Sequence, residues 1–335
     1  MKRFLSCLTI IALVLILGSC SYVKDIESSR DTNNIKIGVI ETTGYKNKSY
    51  IHFFDEDLNP LFTEENDFSS ISEPFDFPVY QDGKMYAIPK GEFESRNEHC
   101  ILCYDITSDS YQEYDTGLQA MNSLAVSKNY LFGVNTQNDI STIVRCNISN
   151  SECFSKKFPE VYIPKIVVIN NFLYAILYGG EKIFLAEISQ ETLNIVNQYD
   201  ITKYGDPCNL LEFQNKIYIS NQYIDTLSGI PSTYVTVFNQ ADHTFNQINT
   251  KEESPDNLIS LNNLLFVSHY DRVQATGNII SVINIQTQKC VSYDFKHMVK
   301  QIATDGKYVY VLGDYCLYKY EFKNGNFLED RKSVV

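Results

Sequence analysis

The chain has no tryptophan, and its 5 histidines, at positions 52, 99, 243, 269 and 297, are scattered along 335 residues. No His-Glu-x-x-His, Gly-x-Ser-x-Gly or phosphate-loop pattern occurs, which excludes the contiguous motifs of zinc peptidases, serine hydrolases and nucleotide-binding loops. Positive charge is in short supply, with 28 Lys and Arg against 41 Asp and Glu and a formal net charge of −13. That balance disfavours nucleic acid as a partner and gives no electrostatic pull toward anionic lipid. Helical periodicity is nearly absent, and no Pro/Gly/Ser-rich linker divides the chain, so a second domain is not expected. Cys100 and Cys103 form a Cys-x-x-Cys, yet no second pair accompanies them. Their apolar neighbours Ile101, Leu102 and Tyr104 mark a strand, where positions three apart point to opposite faces and the two sulfurs cannot converge on one ion. Residues 55–59 begin like a calcium loop, but Pro60 stands where such a loop needs glycine and Asn66 where it needs glutamate. No metal and no cofactor are expected.

What is present begins with an export signal. Lys2 and Arg3 precede an apolar stretch over residues 8–17 that is broken only by Thr9. That stretch falls well short of the roughly 20 residues a permanent membrane helix needs. The next residues, Leu17-Gly18-Ser19-Cys20, resemble the lipobox of bacterial lipoproteins. The resemblance implies diacylglyceryl transfer to the Cys20 thiol and cleavage on its amino side; small residues at 18 and 19 suit entry into a protease cleft. Two acyl chains hold a protein to a membrane stably where one does not. Residues 1–19 are therefore read as a leader. Residues 20–34 are read as the lipidated cysteine and a polar flexible tether. The mature chain is expected outside the cytoplasm, anchored through Cys20, and loss of Lys2 and Arg3 takes its formal charge from −13 to −15.

The remainder, residues 35–330, is repetitive. A polar turn followed by an aromatic-centred strand recurs at Asp82-Gly83-Lys84-Met85-Tyr86, Lys128-Asn129-Tyr130-Leu131-Phe132, Asn170-Asn171-Phe172-Leu173-Tyr174, Gln214-Asn215-Lys216-Ile217-Tyr218, Asn262-Asn263-Leu264-Leu265-Phe266 and Asp305-Gly306-Lys307-Tyr308-Val309-Tyr310. The terminal aromatics are 42 to 48 residues apart, the period of one four-stranded propeller blade. The turn residues tolerate positive φ, as two-residue hairpins demand.

A second register has seven copies, flanked by Phe54/Leu61, Tyr104/Tyr111, Cys146/Cys153, Ala186/Leu193, Phe238/Phe245, Ile283/Cys290 and Tyr320/Phe327. The residue after the first member is always acidic or amide: Asp55, Asp105, Asn147, Glu187, Asn239, Asn284 or Glu321. Such residues start turns. Cys146 and Cys153 thereby face each other across one hairpin and are candidates for a disulfide. The pattern predicts an all-β, seven-bladed propeller of four-stranded blades, with Ile37-Gly38-Val39 as a second strand in blade 1. The alternative is six blades plus an irregular amino-terminal hairpin.

In period, turn type and strand pattern the chain resembles the WD40-like and YVTN-like bacterial propellers, including lipid-anchored propeller proteins of the cell envelope. The Trp-Asp dipeptide of WD40 repeats is missing, and Tyr234-Val235-Thr236-Val237 approaches the Tyr-Val-Thr-Asn signature once. The resemblance implies the fold and transfers no functional residue. The lack of tryptophan also separates the chain from quinone-dependent dehydrogenase propellers, whose repeats carry one.

In a propeller, the connections from second to third strand share a face with the blade-to-blade connections. Three of the former are long, at residues 89–99, 221–232 and 269–278, and length beyond a turn usually serves function. The candidate binding residues there are Glu92, Arg96, Tyr223, Asp225, His269, Tyr270, Asp271 and Arg272. An imidazole, a phenol, a carboxylate and a guanidinium in succession at 269–272 could grip a polar or anionic ligand. The favoured expectation is a non-catalytic module binding a protein, peptide or glycan. The alternatives are a propeller hydrolase or lyase with clustered, perturbed ionisable groups at the channel mouth, and an assembly scaffold with an exposed apolar patch.

Overall fold

The computed structural model describes residues 32–42, 48–66, 76–89 and 99–335. The leader, Cys20, most of the 20–34 tether, Glu92 and Arg96 lie outside the described residues. Thr32–Val335 forms one compact unit, a seven-bladed β-propeller. Six blades are four-stranded antiparallel sheets in sequence order. Blade 1 shows three strands among the described residues: Ile37–Thr42, Ser49–Phe54 and Pro60–Asn66. Ile37 pairs with Phe54 as Met85 pairs with Tyr104 in blade 2. Residues 37–42 therefore hold the second-strand position of a true blade.

Period-2 alternation explains why the blades stack. In the second strand of blade 4, Phe172–Gly179, the side chains of Leu173, Ala175 and Leu177 enter the seam with blade 3, while Tyr174 and Ile176 enter the seam with blade 5. Such a strand is buried on both faces, and a one-residue slip would exchange every contact. The seven apolar clusters correspond to the seven seams, from Ile51 and Phe53 against Met85 and Tyr104 round to Tyr310 and Leu317 against Val39 and Phe54. Each fully buried Leu, Ile or Phe contributes about 1.5–3 kcal/mol. Cys103 and Cys100 fall in different seams, as strand geometry requires.

Polar groups link successive inner strands. The Leu124 amide donates to Asp76, the Ile166 amide to Ser123 Oγ and the Ile302 amide to Asn257 Oδ1. The carboxyl-terminal strand Asn326–Val334 is the outer strand of blade 7 itself. Between blades 7 and 1, Lys319 is 2 % exposed; its Nζ donates to the Glu56 carbonyl at 2.7 Å, lies 3.0 Å from Asp330 and stands over the Tyr308 ring.

The expected turn residue caps five of the seven third-to-fourth-strand turns, although in blade 1 a bulge pairs Phe54 with Pro60 rather than Leu61. Between third and fourth strands, Asp55, Asp105, Asn147, Asn239 and Asn284 each accept backbone amides two to four residues ahead. Glu187 and Glu321 do not. Each remains within a strand, because the blade 4 and blade 7 hairpins turn later, at residues 190–194 and at Asn324-Gly325. Glutamate is one methylene too long for the capping geometry; Glu187 accepts instead from the Tyr174 hydroxyl. Cys146 and Cys153 are register partners and are disulfide-bonded.

Candidate functional site

Each inner strand begins on the face that carries the second-to-third-strand loops, so side chains near those starts converge at one mouth of the channel. Lys165 in the inner strand of blade 4 pairs with Asp76, and Arg272 Nε donates to Asp256 at 2.7 Å. Cys208 Sγ lies 3.2 Å from Ser220 Oγ and 3.9 Å from Asp256. Burial raises the Asp256 carboxyl above its usual range although Arg272 opposes the shift. Burial also raises Asp206, helped by nearby Asp225 and opposed by the Tyr178 hydroxyl it accepts from. The Cys208 thiol is pushed up to about 12 by burial, so it carries no thiolate near neutral pH. Asp76 with Lys165 and Asp256 with Arg272 thus form two ion pairs close enough to influence one another, a charged floor at this mouth.

The 269–272 cluster separates into inward and outward groups. His269 is buried: its Nδ1 donates to the Glu253 carbonyl at 2.8 Å, which leaves Nε2 to accept from Ser281 Oγ at 2.8 Å. This has the hydrogen-bonding form of a serine–histidine pair. Ser281, however, has no exposure and is shared with Ser292, and burial drops the imidazole to about 4. The pair is a sealed structural link. Arg272 also points inward, to Asp256. Tyr270 is half-buried and its carbonyl accepts from the Gln222 side chain at 2.9 Å, tying the loops of blades 5 and 6 together. Tyr223 is half-buried as the last residue of the strand Lys216–Tyr223, and His269, Tyr270 and Asp271 end the strand Leu264–Asp271, so of the described candidates only Asp225 and Arg272 stand in the loops. Asp225 is exposed and Asp271 half-buried, each capping its own loop.

The loop tips carry residues that the polar reading of the sequence passed over. Among the described residues, every exposed large hydrophobic outside a strand lies in a second-to-third-strand connection of blades 5, 6 and 7: Ile224, Leu227, Ile230, Val273 and Tyr315. Leu227 is 94 % exposed, Val273 81 % and Tyr315 77 %. Both long loops are built as hairpins. The Ile224 amide donates to the Ile230 carbonyl at 2.9 Å, and Asp271 pairs with Thr276. At Gly277 a β-carbon would lie 1.9 Å from the His269 carbonyl oxygen, so only glycine allows that close return. The signal in the sequence was an aliphatic residue inside otherwise polar loops, in Asp225-Thr226-Leu227-Ser228 and Asp271-Arg272-Val273-Gln274.

Comparison by sequence finds no matching protein family and no matching curated protein. Solved structures do match. A Bacteroides uniformis protein with a provisional 6-phosphogluconolactonase assignment aligns over 88 % of this chain and 96 % of its own at 13 % identity and a TM-score of 0.62. Dihydro-heme d1 dehydrogenase NirN, in complex with DHE, aligns over 92 % of this chain and 76 % of its own at 10 % identity and a TM-score of 0.57. U3-55K aligns over 79 % and 82 % at 9 % identity and a TM-score of 0.57. What is shared is the propeller. At these identities the likeness concerns the fold alone, and proteins with such different descriptions lend no residue a role.

Proposed function

We propose that this chain is a cell-envelope lipoprotein, anchored by a diacylglyceryl group on Cys20, whose extracytoplasmic propeller binds a protein, peptide or glycan through its long-loop face. One observation carries the binding reading: among the described residues, the large apolar side chains exposed outside strands gather on that face, in three consecutive blades. Large apolar side chains gathered on one face are the kind of surface that partner binding covers, and a rigid tip loses little entropy on contact. The hydrolase or lyase reading has support in the raised carboxyls of Asp206 and Asp256 at the channel mouth. It is the weaker reading, because Asp256 is paired to Arg272 and Cys208 is held as a thiol. An envelope scaffold would use the same apolar face and differs only in permanence.

The test is capture from solubilised membranes by the intact lipoprotein beside a Leu227→Ser/Val273→Ser variant. A partner held by the first and lost by the still-folded second is the expected result; equal capture by both removes the face from the proposal. Incorporation of labelled palmitate that disappears in Cys20→Ser is expected on the anchoring side, and incorporation that persists overturns it.

A further inference from the structure

The tips of the long-loop face repeat a single local design. In blade 5, Asp225 Oδ1 accepts the amides of Leu227 at 2.8 Å and Ser228 at 2.6 Å. In blade 6, Asp271 Oδ1 accepts those of Val273 and Gln274, both at 2.9 Å. Each aspartate folds the chain back on itself and leaves the aliphatic residue two positions on standing in solvent. Blade 7 offers a shorter version, with Asp314 directly before Tyr315. The face therefore presents apolar pegs one blade apart, each with a carboxylate at its base.

Among the described residues no ion pair reaches Asp225 or Asp271, whereas Asp314 in blade 7 is paired with Lys300 at 2.9 Å. Arg272, the cation within the blade 6 loop, is turned inward onto buried Asp256, and the blade 5 loop from 221 to 232 contains no Lys or Arg. Hydrogen bonds from the Ser228 and Leu227 amides hold the Asp225 carboxyl below its usual range, so it stays ionised into the acid range. The whole chain is acidic, at −13.

We propose that the long-loop face docks a partner protein segment that presents apolar side chains between lysines or arginines, the apolar groups covering Leu227 and Val273 and the cations meeting Asp225 and Asp271. This rests on the reading of that face as a binding surface and names the chemistry of its partner. An anionic bilayer is the poorer occupant, because the carboxylates beside the pegs would face like charge. A neutral segment would leave both carboxylates without a counter-charge.

The test uses the mature lipoprotein in nanodiscs of zwitterionic lipid and two synthetic amphipathic peptides with identical leucines, one with lysine and one with glutamate at every polar position. Binding of the lysine peptide about tenfold or more tighter than the glutamate peptide at low salt, narrowing as salt rises, is expected. Asparagine can still cap, so Asp225→Asn/Asp271→Asn removes charge and keeps the turns; it should weaken the lysine peptide several-fold and bring the two peptides together. Leu227→Ser/Val273→Ser should weaken both. Equal binding of the two peptides, or indifference to the asparagine variant, overturns the cationic partner. Adsorption of the chain to neutral vesicles through Leu227 and Val273, with no preference between peptides, assigns the face to lipid instead. A chain that binds neither peptide yet still captures a membrane partner sinks this inference and leaves the binding-module reading standing.

Discussion

The two faces of the propeller use the same turn chemistry to different ends. On the short-turn face, Asp105 and Asn284 accept amides from Thr107, Ser108, Gln286 and Thr287, and polar side chains meet the water. On the long-loop face, Asp225 and Asp271 accept amides in the same way, and the side chains delivered to water are Leu227 and Val273. Turn formation needs the acceptor and is indifferent to the tip. The aliphatic tips therefore answer to something other than folding. Beneath them lies a floor of two ion pairs, Asp76 with Lys165 and Asp256 with Arg272, whereas under the short turn at 55–59 the buried Lys319 is held by the Glu56 carbonyl and Asp330.

The largest effect is expected from breaking that floor. Arg272→Ala leaves the Asp256 carboxylate buried, and such a loss typically costs about 3–5 kcal/mol. Urea unfolding should register it, and Asp256→Asn in the same chain should recover most of it. If the single variant were as stable as wild type, the long-loop face would rest on loose loops and the comparison of the two faces would lose its structural half.

His269 gives the next effect, and its sign is fixed. The folded imidazole titrates at about 4 against an ordinary value of 6.5, so between those values the unfolded chain binds the extra proton. The contribution is complete above about pH 6.5 and is lost as pH falls toward 4; the shift corresponds to roughly 3 kcal/mol. Asp206 and Asp256, whose folded carboxyls titrate high, work in the opposite direction. The measurement is therefore the difference in unfolding free energy between wild type and His269→Gln across that window. A constant difference would mean that the imidazole is not held neutral under the loop.

The floor and the tips also mark where sequence reading stops. Blade count, strand faces and most turn positions were legible because they depend on local periodicity: Met85 and Tyr86 point to opposite seams whatever lies far along the chain. The blade 4 and blade 7 turns came later than expected because Glu187 and Glu321 stay within strands. The Cys146–Cys153 bond lies within one hairpin and follows from the same register. Asp76 with Lys165 and Cys208 with Asp256 meet only because the ring closes around them, and no spacing in the sequence reports that. The 269–272 run looked like one polar cluster because its residues are adjacent. Strand alternation and the inward turn of the loop then sent His269 and Arg272 into the protein and left Asp271 half-buried at the base of the loop.

Leu227→Ser/Val273→Ser sharpens the contrast from the functional side. The exposed substitutions should change stability by no more than about 0.5 kcal/mol while lowering partner capture about tenfold, equivalent to roughly 1.4 kcal/mol of binding. Thr107→Ser and Thr287→Ser, made together at the opposite tips, should leave both quantities unchanged. Equal loss of capture from the two faces would mean that the pegs are not the contact.

The smallest effect separates the turn from its cargo. Asn284→Ala removes a side-chain acceptor of two backbone amides and should lower stability by about 0.5–1.5 kcal/mol. Asn284→Asp should restore the cap, and neither change should alter capture. Asp271→Ala removes the corresponding acceptor beneath Val273 and should reduce capture as well, because the peg loses its fixed direction. Chemical unfolding and membrane capture run on both alanine variants decide the point. A stability change on each face with a capture change on only one would show that a common local turn has been given a second task at the loop face. Capture losses of equal size would place the contact on both faces and remove the distinction between them.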